Sequence, residues 1–291
     1  MIRLLVVMFI SMIFSNAWAQ DTVDARSPDI YLSSEILPQG EIILIKIRLK
    51  DPQTAQVTWQ GKDVGLALDT DGEMWQGFIA ADLQEKPGHY KAHVKISPPD
   101  IERQLEVEIV EKDYGVRRLT LPKKMVDLDE ETLKRVQEEY KVINGLWEMP
   151  MTESIWSDFF IRPVDGEVVG PFGRRSIIND QPRSPHTGVD LRGEQGTPVK
   201  AANDGKVILT SDHYFTGKSI YLDHGGGVIS MYFHLYDILV KEGDGVRKGQ
   251  TIGLVGSTGR ATGPHLHWGM RINGARVNPL SLITLSGELE E

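Results

Sequence analysis

Polar and apolar positions alternate with a period of two through much of the first 110 residues. Tyr90, Ala92, Val94 and Ile96 interleave with His89, Lys91, His93 and Lys95; Leu105, Val107 and Ile109 interleave with Gln104, Glu106 and Glu108. That period puts one set on each face of a half-buried strand. Ile42-Ile43-Leu44-Ile45 opens a further strand, and Trp75, Phe78 and Ile79 mark another. Turn sequences at Pro38-Gln39-Gly40, Asp71-Gly72 and Pro87-Gly88 punctuate them, which predicts a small β-sandwich over 28–112. His89 and His93 share a face with two lysines and are therefore expected in solvent, not on a metal. This part offers no chemistry, and its expected role is spacing or docking.

The period then lengthens. Asp127-Leu128-Asp129-Glu130 carries a capping carboxylate with a Glu three residues on, and Leu133, Val136, Tyr140 and Ile143 recur at helical spacing until Asn144-Gly145. A helical linker over 113–160 follows, its apolar stripe expected to pack on a neighbouring domain. From 161 to 286 short β runs alternate with glycine turns, and no helix of useful length is predicted. The expected fold class is all-β with a helical connector: an N-terminal immunoglobulin-like sandwich and a C-terminal glycine-rich antiparallel β unit. At ~125 residues, that unit is long enough to be expected to fold alone.

Length and charge agree with two domains and a connector, since 291 residues is about twice a typical domain. The net charge of −9 argues against a nucleic-acid partner. It is unevenly spread: residues 161–286 are net +3 and hold 20 of the 29 glycines, which leaves −12 elsewhere. Arg3, the apolar run Leu4 to Phe14 and Ala17-Trp18-Ala19 read as a signal peptide over 1–19, cleaved at Ala19/Gln20. The run is short for a membrane span, which needs roughly 20 apolar residues. A periplasmic or secreted protein with no integral membrane segment after cleavage is expected. The chain has no cysteine, so a metal site would have to use histidine and carboxylate.

Candidate chemistry is concentrated in the C-terminal unit. In Pro185-His186-Thr187-Gly188-Val189-Asp190-Leu191, an extended backbone points His186, Gly188 and Asp190 one way and Val189 and Leu191 the other. Gly188 leaves room for something close to the backbone. In the second segment His265, His267, Gly269 and Arg271 share one face, with Leu266, Trp268, Met270 and Ile272 on the other. A third strand, after the Asp223-His224-Gly225-Gly226-Gly227 turn, puts Ser230, Tyr232 and His234 on one face and Ile229, Met231 and Phe233 on the other. Imidazole and carboxylate on strands beside a cleft suit metal coordination. His224 reads as a hairpin residue and His213 as an exposed loop residue.

His186-x-x-x-Asp190, Tyr232-Phe233-His234-Leu235 and Gly263-Pro264-His265-Leu266-His267 together resemble the signature of the lysostaphin/LytM-type zinc metallopeptidases. Gly173-Arg174, Gly196-Thr197-Pro198-Val199, Gly205 and Gly253-x-x-Gly256-x-Thr258-Gly259 are also similar to that family. The resemblance covers about 161–286 and is specific because three motifs occur in order with every polar position filled.

The resemblance implies one zinc ion per chain held by His186, Asp190 and His267, with His234 and His265 unligated beside an activated water. It implies a metalloendopeptidase acting on the peptide stems of bacterial peptidoglycan; in a Gram-negative periplasm the bond would be the D-alanyl–diaminopimelate cross-link. Asp180 to Pro185 contains no tyrosine, so the oxyanion role that some members give to a tyrosine there is unassigned. The alternative is a catalytically silent activator of cell-wall amidases using the same groove. A non-haem iron oxygenase also uses two histidines and a carboxylate, but its usual His-x-Asp pair differs from the spacing here.

Overall fold

The strand Ile42–Arg48 is apolar on both faces, and that double-sidedness sets the architecture. In the computed structural model, which describes residues 29–69, 72–120, 128–156 and 159–287, Ile43, Ile45 and Ile47 point into one core while Ile42 and Leu44 point into another. The expected signal sequence over 1–19 with its Ala19/Gln20 junction, Asp71 and Asp127 lie outside these residues.

The first core is that of a β-sandwich. A four-stranded sheet (Ile30–Leu32, Ile42–Arg48, Met74–Ala80, Ala67–Leu68) faces a five-stranded one (Ile36–Pro38, Ile101–Val110, Gly88–Ser97, Thr54–Trp59, Lys62–Val64). Ala92, Val94, Ile96, Val107 and Ile109 fill the space between them, and His89 and His93 stand in solvent, as their alternation with apolar neighbours predicts.

The second core lies under a ten-stranded, antiparallel sheet. Its main path runs Val168–Gly170, Gly188–Arg192, His265–Ile272, Val228–Ile238, Gly217–Asp223, Gly205–His213 and Gly245–Val246. Val189, Leu191, Leu266, Trp268, Met270 and Tyr232 point into this core. So do Phe78, Ala80 and Leu83 of the sandwich, together with Trp156 and Phe160 of the connector. Phe78 stacks on Trp156 with centroids 4.8 Å apart. The C-terminal unit, expected to hold itself together, thus shares one continuous core with the sandwich. Polar links reinforce the junction: Arg276 Nε donates to Asp82 at 2.8 Å, and the Glu41 carboxylate takes Lys112 Nζ at 2.7 Å, the Tyr114 hydroxyl at 2.9 Å and the Ser281 hydroxyl.

The connector holds helix α1 (Glu130–Leu146), capped by Asp129, whose side chain accepts the Thr132 N–H at 2.7 Å. The helix runs through Asn144-Gly145 and ends at Trp147, because a single glycine costs only about 1 kcal/mol inside a helix when the turn around it is packed. Its contact face is also displaced from the predicted stripe. Val136, Ile143 and Leu146 are covered, whereas Leu133 and Tyr140 are 46% and 51% exposed. Leu146 and Ile143 meet Tyr221, Met231 and Phe233, on the side of the large sheet opposite its core. The connector carries a strand as well, Val116–Leu119, parallel to Arg175–Ile178. A short helix α2 (Pro279–Gly287) closes the described chain, where the sequence pattern predicts only strands and turns.

Candidate active site

Strand register assembles the site. Asp190 and His267 are direct cross-strand partners, and His267 is in turn opposite Phe233. All three therefore project from the face away from the core, and His265, two residues before His267, projects with them. His186 precedes its strand and is tied down by the preceding loop. Its N–H donates to the Arg174 carbonyl at 3.1 Å, its own carbonyl accepts the Gly173 N–H at 2.8 Å, and its Nδ1 lies 2.9 Å from the Pro171 carbonyl.

Three donor atoms converge. His186 Nε2 is 3.1 Å from Asp190 Oδ1 and 3.0 Å from His267 Nδ1, and His267 Nδ1 is 3.0 Å from Asp190 Oδ1. With its Nδ1 against the Pro171 carbonyl, the His186 ring turns Nε2 toward a carboxylate oxygen and a second imidazole nitrogen. Three electron-rich atoms so close are stabilised by a shared cation. The chain's residues fit zinc, whose bonds to nitrogen and oxygen are roughly 2.0–2.2 Å. The Pro171 carbonyl supplies the outer hydrogen bond that metal-ligating histidines usually make.

Electrostatics point the same way. Burial works against ionisation of Asp190, but hydrogen bonds from His186 and His267, with the pull of those rings, outweigh it and hold the carboxyl well below the usual range. Burial pushes His267 below the ordinary histidine value against the opposing pull of Asp190.

Two glycines make the packing feasible. A Cβ at Gly188 would lie 2.6 Å from His267 Nε2 and 2.5 Å from the Trp268 carbonyl, so the group that Gly188 admits is the His267 ring itself. A Cβ at Gly170 would collide with the Asp190 carboxylate; the sequence pattern gave no hint of that role.

His234 reaches this face by a route that alternation does not predict. Ser230 and Tyr232, expected to share its polar face, are wholly buried on the core side, where Tyr232 accepts the Ala202 N–H at 2.9 Å. Regular alternation would send His234 into the core with them. Instead His234 has φ +62°, and the four residues from Tyr232 to Leu235 oppose only three from Ile220 to Lys218. This bulge re-aims the side chain, a common device beside functional sites. Its ring centroid ends 4.9 Å from that of His265 and 6.1 Å from that of His267.

Both outer histidines are oriented by backbone. His234 Nδ1 lies 2.9 Å from the Thr258 carbonyl and His265 Nδ1 2.8 Å from the Gly263 carbonyl. Each ring therefore leaves Nε2 for the site, and His265 Nε2 is 3.7 Å from Asp190 Oδ1. Burial, then the neighbouring His267, push His234 down to about 4, which leaves it neutral at pH 7. Pro171, Thr258 and Gly263 act through carbonyls, which residue identity does not advertise.

The remaining histidines lie elsewhere. His224 is fully buried, its Nδ1 2.6 Å from the Asp204 carbonyl and its Nε2 2.7 Å from the Ser230 hydroxyl. His213 ends the strand Gly205–His213, half-buried near α1, not in an exposed loop.

Residues 184–279 match peptidase family M23. A Pseudomonas aeruginosa crystal structure assigned to peptidase M23 shares 32% identity and a TM-score of 0.67, over 85% of this chain and 95% of that one. The chain belongs to peptidase family M23, which bears out the resemblance read from its three motifs. It is 44% identical over 97 residues to the peptidoglycan DD-endopeptidase ShyA of Vibrio cholerae, a match covering 33% of this chain. It is 42% identical over 134 residues to the DD-carboxypeptidase/endopeptidase Mpg of Neisseria meningitidis, covering 46% of this chain. The chain spans 23% and 31% of the length of those two relatives.

Proposed function

We propose that this chain is an exported zinc endopeptidase that hydrolyses peptide cross-links of bacterial peptidoglycan, the D-alanyl–diaminopimelate bond being the expected target. The observation that carries the reading is the convergence of His186, Asp190 and His267 beside His234 and His265, whose Nδ1 atoms are already committed. The activity named for ShyA supports the choice of polymer, and the endopeptidase named in Mpg supports the reaction. Export rests on the signal sequence over 1–19; among the described residues no helix is long and apolar enough to cross a membrane. Division into a sandwich over 28–112, a connector over 113–160 and a catalytic unit over 161–286 belongs to the same proposal.

His186, Asp190 and His267 would hold the metal. When bound, zinc supplies Lewis acidity toward the scissile carbonyl and lowers the pKa of water. The chain's own groups move the protons. With Nδ1–H fixed on a carbonyl, Nε2 of His234 or His265 can take a proton from the attacking water and return it to the leaving amine. The partner imidazole, when protonated on Nε2, would donate to the carbonyl oxygen on which charge grows. Phe233, flat against His267, keeps water from one side of that ring. An amide is the suited bond. The strands Gly188–Arg192 and His265–Ile272 carry one carboxylate, Asp190, whereas glycosidases use two about 5–10 Å apart.

The test is elemental analysis of the purified protein coupled to cleavage of cross-linked muropeptide dimers. One zinc per chain is expected, with cleavage lost to a chelator and restored by zinc. A protein that cleaves equally well without metal would overturn the reading.

A further inference from the structure

Helix α1 lies outside the matched family region, yet it grips the hairpin that supports His234. The Glu139 side chain is only 15% exposed. Its carboxylate accepts the Tyr214 N–H through both oxygens, at 2.9 and 3.1 Å, and pairs with Arg135 Nε at 2.7 Å. Arg135 in turn donates to the Asp212 carbonyl at 3.0 Å. One charged pair therefore holds two backbone atoms at the tip of the hairpin formed by Gly205–His213 and Gly217–Asp223.

That tip bears directly on the bulge. The Thr216 carbonyl, two residues beyond Tyr214, accepts the His234 N–H at 2.9 Å. The Phe215 carbonyl accepts the Arg260 N–H at 3.0 Å, and Gly217 packs so tightly against Thr258 that a Cβ there would collide with it. Thr258 is the residue whose carbonyl orients His234 Nδ1. Both backbone carbonyls that fix His234, one on its N–H and one on its ring, are thus braced by the hairpin tip. A non-glycine residue at φ +62° keeps that conformation only where its surroundings impose it.

We infer that Glu139 is a positioning residue for His234: its hold on Tyr214 N–H keeps the hairpin tip, and through Thr216 and Thr258 the bulged His234, in working geometry. The inference rests on reading His234 as a proton-transfer group. It assigns the connector helix a part in the site beyond spacing.

Amide hydrogen exchange on the metal-free full chain tests the linkage without needing activity. Glu139→Ala should speed exchange at Tyr214 and His234 by about tenfold or more, the scale of losing a hydrogen bond to a charged group, and leave Ser230 to Tyr232 protected. Glu139→Gln, which keeps an acceptor oxygen, should restore most of the protection. Glu138→Gln, an exposed neighbour paired with Lys141, should change nothing. Val136→Ala weakens helix packing without touching the bond and serves as the structural control.

In turnover, Glu139→Ala should lower kcat with little change in KM and no loss of metal, and should add nothing in a His234→Ala background. Unchanged exchange at His234, or an equal effect from Val136→Ala at matched stability, would overturn the inference. Absence of peptidase activity in the unmodified chain would instead overturn the proposed function, and the exchange result would stand.

Discussion

Phe233 and His267 face each other across two antiparallel strands, and their rings stack with centroids 5.2 Å apart and planes 3° from parallel. The apolar ring covers one side of an imidazole whose Nδ1 meets Asp190 and His186. Phe233→Leu keeps an apolar group but loses the flat contact. Its metal affinity should fall by roughly 10-fold or more, the scale of losing an orienting neighbour of a ligand, measured by competition with a chelator. Unchanged affinity would show that strand register alone orients His267.

The five polar residues should separate into two groups. His186→Ala, Asp190→Ala and His267→Ala should each abolish bound zinc and activity. His234→Ala and His265→Ala should keep about one zinc while turnover falls about 10²-fold or more. Elemental analysis beside steady-state kinetics distinguishes them; loss of metal in His234→Ala would contradict its assignment.

Much of this site was legible in the sequence. Period-two alternation through Gly188–Arg192 and His265–Ile272 placed Asp190, His265 and His267 correctly, because those strands are regular. The same rule failed for His234, where a bulge shifts the phase by one residue and Ser230 and Tyr232 turn out to be core groups. A bulge at a non-glycine residue leaves no compositional mark. Nor did the pattern show the shared core: Ile42 and Leu44 read as strand residues, but which of two layers they would face depends on a partner more than a hundred residues away. The C-terminal unit therefore reads as self-sufficient, although sandwich and connector side chains complete its core.

Gly188→Ala should be far more damaging than an added methyl group suggests. The new Cβ meets the Trp268 carbonyl as well as the His267 ring, and backbone cannot step aside cheaply. Destabilisation of about 1–3 kcal/mol with loss of metal is expected, read by thermal melts and elemental analysis. A variant that keeps both would show that the strand pair can open.

The shared core predicts that the sandwich stabilises the catalytic unit. Phe78→Ala removes the ring stacked on Trp156 and should cost about 3–5 kcal/mol, although Phe78 lies outside the matched region. A chain beginning at Phe159 should be poorly soluble, since it exposes the partners of Phe78 and Trp156. Denaturant unfolding checks the first, and a well-folded 159–291 fragment would contradict the second.

His224 gives the fold an acid-sensitive element. Burial pushes it down to about 4 from an ordinary 6.5. The unfolded chain therefore binds a proton between those values that the folded chain refuses. Its contribution is complete above pH 6.5 and is lost as pH falls from 6.5 towards 4, by roughly 3 kcal/mol in all. His224→Gln should be less stable at pH 8 yet show a flatter stability profile between pH 6.5 and 4. Parallel profiles for the two proteins would contradict the assignment.

The most direct test is the product spectrum from purified peptidoglycan sacculi, resolved by mass spectrometry. The account predicts that cross-linked muropeptide dimers become monomers, that glycan chain length is unchanged, and that a chelator stops the reaction. Zinc bound without any cleavage, free stem peptides released from intact glycan, or new sugar ends would each contradict it.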